Sequence, residues 1–180
     1  MHLRIYNEQT DFVHIASWIT DERIHAFWSA NILSFPLSME ELHNYLVGQN
    51  LKFHARSGGE IINQEKEFDG AYVYEDEHDR PLGFFIYTVN GQDKSGFVRF
   101  IVVDNTSRGM GYGSDMLKKL LRFAYENTGV SSVRLNVFDV NAAAMRCYRK
   151  VGFALTDNTP TEFTYQDEIW KRSMMEHRRA

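Results

Sequence analysis

The sequence contains a single cysteine, Cys147, among its 180 residues. One thiol cannot form an intramolecular disulfide, and chains without disulfides are typical of a reducing compartment. No apolar run approaches the roughly 20 residues that cross a bilayer, and the N-terminal stretch MHLRIYNEQTD lacks the apolar segment of a signal peptide. We therefore expect a cytoplasmic protein with no membrane partner, in which Cys147 is a buried structural residue rather than a nucleophile.

The chain also lacks an excess of positive charge. It has 20 Lys and Arg against 24 Asp and Glu, a net charge of −4, whereas nucleic-acid-binding domains usually carry a basic patch. We therefore expect no nucleic-acid partner. The seven histidines are scattered, without the ligand spacing of a metal site, so we expect no metal. Hydrophobic residues make up 43%, which predicts one globular domain over residues 1–180.

Two further absences concern the glycine-rich stretch SRGMGYGSD, residues 107–115. Glycine loops that open a helix often bind phosphate. A P-loop would need a Gly-Lys pair, which this chain does not contain, and a dinucleotide fingerprint would need a third glycine where serine or methionine stands. The remaining pattern is Arg108 followed by Gly111 and Gly113. It fits a pyrophosphate held by backbone N–H groups, a helix dipole and an arginine, with a flexible turn as the alternative.

The hydrophobic pattern predicts a mixed α/β domain with the element order βααβββαβαββ. The predicted strands are Leu3–Tyr6, Ala71–Tyr74, Leu82–Val89, Phe97–Val103, Val133–Phe138, Phe153–Leu155 and Glu168–Met174. The predicted helices are Thr10–Trp18, Met39–Val47, an apolar stripe from Met116 to Tyr125, and Asn141–Lys150. The polar stretch Lys52–Asp69 is predicted to be a connector or an insertion.

Two stretches follow one another with a predicted helix and strand between them: VVDNTSRGMGYGSDML, residues 102–117, and LNVFDVNAAAMRCYRKVGF, residues 135–153. The first resembles the acetyl-CoA motif, and the second the C-terminal half, of the GNAT superfamily of acetyl-CoA-dependent N-acetyltransferases. The resemblance covers residues 97–153. It extends more loosely to ASWITDERIHAFW and FPLSMEEL, residues 16–28 and 35–42. These resemble the subgroup that contains ribosomal-protein N-terminal and small-amine acetyltransferases.

The chain departs from the family pattern at two places. Val103-Asp104-Asn105 stands where the family often has Val-x-Pro, and Met110 stands where a basic residue is common. Neither departure removes a backbone N–H donor, so we expect cofactor binding to survive.

The resemblance implies a single α/β (α+β) domain with a central, mixed, mostly antiparallel twisted sheet. The sheet would have roughly six to seven strands and about four flanking helices. Its central strands, here Phe97–Val103 and Val133–Phe138, would splay apart and open a slot for the cofactor. Residues 1–66 would form the acceptor-side helices and the connector, and residues 67–180 the cofactor-binding core. Exposed sheet edges can pair, so a homodimer stays open.

The resemblance also implies which residues hold acetyl-CoA. The residues implied for the pyrophosphate are Arg108, Gly109, Met110, Gly111, Tyr112, Gly113 and Ser114. The exposed backbone of Ile101, Val102 and Val103 would pair with the pantetheine arm like an added strand, and an N–H near Val103 would polarise the thioester oxygen. Asn141 and Tyr148 lie two turns apart on one helical face, where both can face the cofactor. Asn141 also fits the role of a helix N-cap.

Tyr148 is the predicted general acid. An amine that attacks the thioester displaces coenzyme A as a thiolate, whose thiol has a pKa of about 8.5 against about 10 for tyrosine. The phenol can therefore give that sulfur a proton at modest cost. We expect direct attack by a primary amine in a ternary complex with acetyl-CoA. The alternatives are a core tyrosine without a catalytic role and a non-catalytic acyl-CoA-binding regulatory module on the same fold.

The sequence says less about the acceptor and the general base. Residues of the N-terminal region that would line an amine pocket, or else form ordinary core, are Phe27, Trp28, Asn31 and Phe35. Candidate bases, with ordinary surface groups as the alternative, are Glu22, His25 and Glu41. A protein N-terminus, a polyamine and an aminoglycoside all stay open as acceptors.

Overall fold

The computed structural model describes residues 1–55, 61–63 and 67–179. Its helices are α1 (Glu8–Trp18), α2 (Glu22–Ser29), α3 (Met39–Gly48), α4 (Tyr112–Asn127) and α5 (Ala142–Val151). Its strands are β1 (His2–Ile5), β2 (Phe53–His54), β3 (Ile61–Ile62), β4 (Gly70–Glu75), β5 (Pro81–Asn90), β6 (Ser95–Val103), β7 (Ser132–Phe138), β8 (Ala154–Leu155), β9 (Thr161–Tyr165) and β10 (Glu168–Arg178). None of the helices in these ranges has the length and apolar character needed to cross a membrane.

One eight-stranded sheet organises the fold, in the order β1-β4-β5-β6-β7-β10-β8, with β9 paired to β10. Strands β6 and β7 run parallel, whereas the other pairs of this sheet are antiparallel. Strands β2 and β3 form a separate two-stranded sheet. The mixed, mostly antiparallel sheet confirms the predicted fold class, with β9 as a strand beyond those expected.

The central strands β6 and β7 pair over a short distance and then part. Ser95–Val98 of β6 lie opposite Ser132–Leu135 of β7, and the described pairing ends there. Arg99–Val103 therefore have an edge without a β7 partner. On the other edge of β6, the register with β5 shifts and Phe100 has a φ of 54°, which marks a β-bulge that bends the strand. The sheet thus opens where the resemblance implies a cofactor slot.

Helices cover both faces of the sheet. On one face, α4 and α5 pack against the strands through a core that includes Leu120 and Leu135. On the other face, α1 and α3 pack through a core that includes Leu46 and Phe84. A third cluster around Trp170 joins α2 to β7, β9 and β10. The opening between β6 and β7 is therefore enclosed from two sides.

Helix α2 and strand β9 are elements that the hydrophobic pattern does not predict. Helix α2 begins where the Asp21 side chain accepts a hydrogen bond from the Ile24 N–H at 2.8 Å. It has only eight residues, too few turns for a clear 3.6-residue period. Strand β9 is mostly exposed, so it lacks strong alternation, and it is anchored by the Tyr165 ring, which stacks 4.5 Å from the Trp170 ring.

The predicted connector over residues 52–69 contains β2 and β3. Residues 56–60, which include the SGGE stretch, and residues 64–66 lie outside the described residues. The bridge between Lys52 and Gly70 ties the start of the connector to the start of β4. The division of the chain near residue 66 stays a prediction.

Candidate active site

A cavity of about 870 Å³ lies where β6 and β7 part. Helix α2 borders it from one face of the sheet, and α4 and α5 border it from the other. The predicted residues that line it are Ile101, Val102, Val103, Arg108, Gly109, Gly111, Tyr112, Gly113, Ser114, Asn141 and Tyr148. Met110 is 67% exposed and does not line the cavity. The fold therefore brings the two sequence motifs together in one enclosure.

The N-terminus of α4 has no side-chain cap. Gly111 precedes the helix with a φ of 88°, a left-handed conformation that favours glycine. The first hydrogen bond of the helix runs from the Asp115 N–H to the Gly111 carbonyl at 3.0 Å. The N–H groups of Tyr112, Gly113 and Ser114 precede it and have no acceptor among the described residues. The other four described α-helices each have a capping side chain. Free N–H groups and the helix dipole make this end suited to an anion.

Gly113 faces α5 and β6 with room for a Cβ in ordinary van der Waals contact. A Cβ at this position would lie 3.4 Å from Cys147 Sγ and 3.5 Å from Val103 Cγ2. Cys147 is half-buried, and its Sγ lies 3.5 Å from Ser114 Oγ. The expected full burial of Cys147 is therefore wrong, because the residue is half-buried and lines the cavity.

Asn141 and Tyr148 both reach the cavity from α5. The Asn141 side chain accepts a hydrogen bond from the Ala144 N–H at 3.2 Å, so it is also the N-cap of the helix. Tyr148 is 8% exposed, and burial raises the pKa of its hydroxyl above the ordinary tyrosine value. No described group forms a hydrogen bond with this hydroxyl. The phenol therefore stays protonated at neutral pH and is available to a ligand.

Three cationic side chains of the glycine loop and α5 line the cavity: Arg108, Arg146 and Lys150. Sequence reasoning identified the first of these and missed the other two. Arg146 and Lys150 are four residues apart on α5, which places them on one helical face. The helical spacing that places Asn141 and Tyr148 on one face could also have identified Arg146 and Lys150 as neighbours on α5.

Helix α2 forms the wall opposite the glycine loop. Phe27 and Trp28 line the cavity, whereas Asn31 and Phe35, which were also predicted for the acceptor side, do not. The Trp28 indole N–H donates to the Phe100 carbonyl at 2.8 Å. Trp28 thus fixes α2 to the bulge of β6 and has no free donor for a ligand.

The candidate bases do not line the cavity. Glu22 is exposed in the first turn of α2, and Glu41 accepts a hydrogen bond from the Ser34 hydroxyl at 2.8 Å on the surface. His25 is 2% exposed, and burial lowers its pKa, so its imidazole is neutral at pH 7. Its Nε2 lies 3.4 Å from the hydroxyl of Ser29, which does line the cavity.

These features define a transferase built on a splayed mixed sheet. The sequence profile of the acetyltransferase (GNAT) family matches residues 39–153, which is more than half of the chain. The chain therefore belongs to the acetyltransferase (GNAT) family. It is an enzyme of acetyl transfer, as the two motifs predict.

Two solved structures illustrate the shared fold. Spermidine N-acetyltransferase from Vibrio cholerae, in complex with CoA and spermine, has a TM-score of 0.74 and 17% identity over 98% of this chain and 94% of that one. Ribosomal-protein-alanine N-acetyltransferase from Brucella melitensis has a TM-score of 0.67 and 18% identity over 99% of this chain and 100% of that one. The resemblance to the family, and to its ribosomal-protein and small-amine members, is confirmed.

Proposed function

We propose that the protein transfers an acetyl group from acetyl-CoA to a primary amine by direct attack in a ternary complex. The observation that carries this proposal is one cavity bordered by the uncapped N-terminus of α4, by Tyr148 and by α2. Both solved relatives are N-acetyltransferases, and one is in complex with CoA, which supports this co-substrate and an amine acceptor. Two substrates held in one cavity can react without an acetylated enzyme residue.

The cofactor side of the cavity offers matching groups for the two parts of acetyl-CoA. The N–H groups of Tyr112, Gly113 and Ser114, with Arg108 beside them, suit the pyrophosphate. The edge of β6 at Ile101–Val103, which lacks a β7 partner, suits the amide groups of the pantetheine arm, as a sheet edge suits an added strand. Asn141 would border the arm from α5.

Tyr148 accounts for one of the two proton movements of the reaction, and solvent accounts for the other. The free amine attacks the carbonyl carbon, the C–S bond breaks, and the Tyr148 hydroxyl donates its proton to the leaving sulfur. Burial keeps that proton on the phenol until the sulfur acquires charge. No Asp or Glu of the described chain lines the cavity, so the attacking nitrogen loses its proton to solvent, from which Tyr148 is reprotonated.

A panel of primary amines tests the proposed function. Enzyme, acetyl-CoA and each amine are incubated, and acetylated product and free coenzyme A are quantified by chromatography and mass spectrometry. Chromatography is preferred to a thiol reagent because Cys147 would itself react with the reagent. Tight binding of acetyl-CoA without transfer to any amine would contradict the proposal and favour the non-catalytic module.

Bound coenzyme A is expected to protect Cys147 from alkylation. Cys147 is the sole cysteine of the chain and lines the cavity, so the extent of labelling reports occupancy directly. The rate of iodoacetamide labelling should fall as coenzyme A is added, with a midpoint at the dissociation constant measured by calorimetry. Cys147→Ser should remove all labelling. An unchanged labelling rate at saturating coenzyme A would contradict the proposed cofactor position.

The kcat/KM of the reaction should not decrease at moderately alkaline pH. The pKa of Tyr148 is raised by burial, so the acid form persists beyond the ordinary tyrosine value of about 10. Meanwhile the free-base fraction of the acceptor increases with pH. We expect kcat/KM to rise with pH and to hold its plateau to about pH 9.5, provided circular dichroism shows that the fold is intact. A descending limb below about pH 9 that disappears in Tyr148→Phe would contradict this assignment.

We further propose a cytoplasmic enzyme that uses no metal. His2, Glu75 and Asp79 have ligand atoms within 4.8 Å of one another, but they lie outside the cavity lining. Glu75 is engaged there by His2 and Arg4, each at 2.6 Å.

The single thiol supports a reducing compartment. A homodimer, if formed, would use an edge such as β1 or β8, and sedimentation measures it.

A further inference from the structure

Two arginines line the cavity on the sheet face that α2 covers: Arg99 of β6 and Arg172 of β10. Neither forms an ion pair with a carboxylate of the described residues, unlike Arg4, Arg23 and Arg134. Both arginines are half-buried, and a guanidinium is always charged in proteins, so each presents a positive charge to the cavity. Two such groups on one face of a ligand cavity point to an anion that the ligand supplies.

The bulge in β6 places Phe100 on the same side of the sheet as Arg99. In a regular strand, Arg99 and Phe100 would point to opposite faces. Here both contact Tyr45 of α3, with the Arg99 guanidinium carbon 5.9 Å and the Phe100 ring 5.0 Å from the Tyr45 ring centre. The Nε of Arg99 is enclosed and has no hydrogen-bond partner in the described part of the chain. Arg99 therefore has an aromatic support and unused donors.

Arg172 reaches the same side of the sheet from β10. It stands opposite Phe138 in the β7–β10 pairing and so shares a face with Phe138 and Trp170, which pack against Ala26 of α2. Its Nε donates to Thr161 Oγ1 at 3.3 Å. That contact orients the side chain and leaves its terminal NH₂ groups without a hydrogen-bond partner in the described ranges.

The charge of the cavity lining has one sign. Its cationic members are Arg99, Arg108, Arg146, Lys150 and Arg172, and it includes no Asp or Glu of the described residues. The glycine loop and α5 contribute three of these cations, where the phosphates of coenzyme A are proposed to bind. Arg99 lies roughly 13 Å back along β6 from Val103, at about 3.3 Å per residue. It is therefore separated from the phosphate cradle and borders the acceptor side.

We propose, resting on the function proposed above, that the acceptor is a small amine that also carries a carboxylate, as a free amino acid does. Arg99 would bind that carboxylate through two parallel N–H···O bonds, and Arg172 would add positive potential from the same face of the sheet. A carboxylate anchored there holds the amine nitrogen inside the cavity. A polycation such as the spermine bound by the Vibrio relative would instead meet like charges.

Matched pairs of acceptors test this proposal on the wild-type enzyme. Free amino acids are compared with their carboxamides and with their decarboxylated amines, for example lysine with lysinamide and cadaverine, and spermidine is included. Each kcat/KM is corrected for the fraction of free amine. We expect at least about a tenfold preference for the carboxylated member. A short peptide with an acidic second residue, compared with its amide analogue, distinguishes a protein N-terminus from a free amino acid as the source of the carboxylate.

Arg99→Met and Arg172→Met test the two side chains. Arg99→Met should lower kcat/KM for carboxylated acceptors roughly tenfold, mainly through KM, with little change for the carboxamides. Arg172→Met should give a smaller change of the same kind. Arg122→Met is the matched control, because Arg122 is exposed on α4 and pairs with Glu126, and it should change neither series. Coenzyme A affinity confirms that each variant is folded.

The outcomes separate this proposal from the proposed function. Transfer to no amine at all, with coenzyme A bound, contradicts the function itself. Equal or better use of the carboxamides or of spermidine contradicts the carboxylate proposal and leaves the function standing. Equal losses for both members of a pair in Arg99→Met would also overturn it, since a merely structural arginine would affect both. Should Arg99→Met fail to fold, the wild-type preference and Arg172→Met decide.

Discussion

Replacing Tyr148 with phenylalanine is expected to lower turnover by roughly 100-fold or more while leaving coenzyme A affinity nearly unchanged. The substitution removes only a hydroxyl from a side chain that is 8% exposed. That hydroxyl has no partner among the described residues, so its loss leaves no other polar group unsatisfied. Without it, coenzyme A must leave as an unprotonated thiolate. The measurements are kcat at saturating substrates and the dissociation constant of coenzyme A by calorimetry.

Tyr165→Phe is the matched control for this prediction. Tyr165 is also 8% exposed, but it packs on Trp170 away from the cavity lining. Its substitution removes a hydroxyl that accepts a hydrogen bond from Gln166 at 3.5 Å outside the cavity, so turnover should be retained. Unchanged turnover in Tyr148→Phe would remove Tyr148 from the acid role. A loss of coenzyme A affinity of similar size would assign it to binding instead.

The part of the site that the sequence predicts is the part built from local geometry. Three glycines between an apolar strand and a helix determine the backbone of the loop. Gly109 and Gly111 have φ angles of 83° and 88°, which glycine adopts without help from tertiary contacts. The spacing from Asn141 to Tyr148 likewise fixes their relation within one helix. Both features depend on neighbouring residues in the chain and not on tertiary packing, so they can be predicted from one sequence.

The acceptor side depends on tertiary contacts, and there the sequence predicts less. Alternation along β6 places Arg99 on the side of α3 and would send Phe100 to the opposite face, and only the bulge, with its φ of 54° at Phe100, brings Phe100 to the same side. Glu22 and Glu41 were candidate bases because of their position in the chain. Once α2 and α3 pack by their apolar sides, both carboxylates are left outside the cavity lining.

Placing a carboxylate at the start of α4 is expected to weaken coenzyme A binding roughly 100-fold. Gly111→Asp adds a negative charge beside the free N–H groups that are proposed to bind the pyrophosphate. Two like charges about 4 Å apart repel by about 4 kcal/mol at an effective dielectric constant of 20, and salt screens part of this. A Cβ at Gly111 would meet no atom within 4 Å. No neighbouring atom has to move, so the cost in the free enzyme is confined to the backbone at residue 111, and calorimetry with coenzyme A measures the loss of affinity.

Gly111→Asn separates this charge effect from the cost of a side chain at a φ of 88°. Asn and Asp are the residues besides glycine that tolerate the left-handed region best, so the two variants share the backbone cost and differ in charge. Asn should retain most of the affinity. In the free enzyme the order of stability should reverse, because an acidic group at a helix N-terminus is favourable. Equal affinities for the two variants, or a defect of Gly111→Asp that high salt fails to reduce, would contradict an anion at this end of α4.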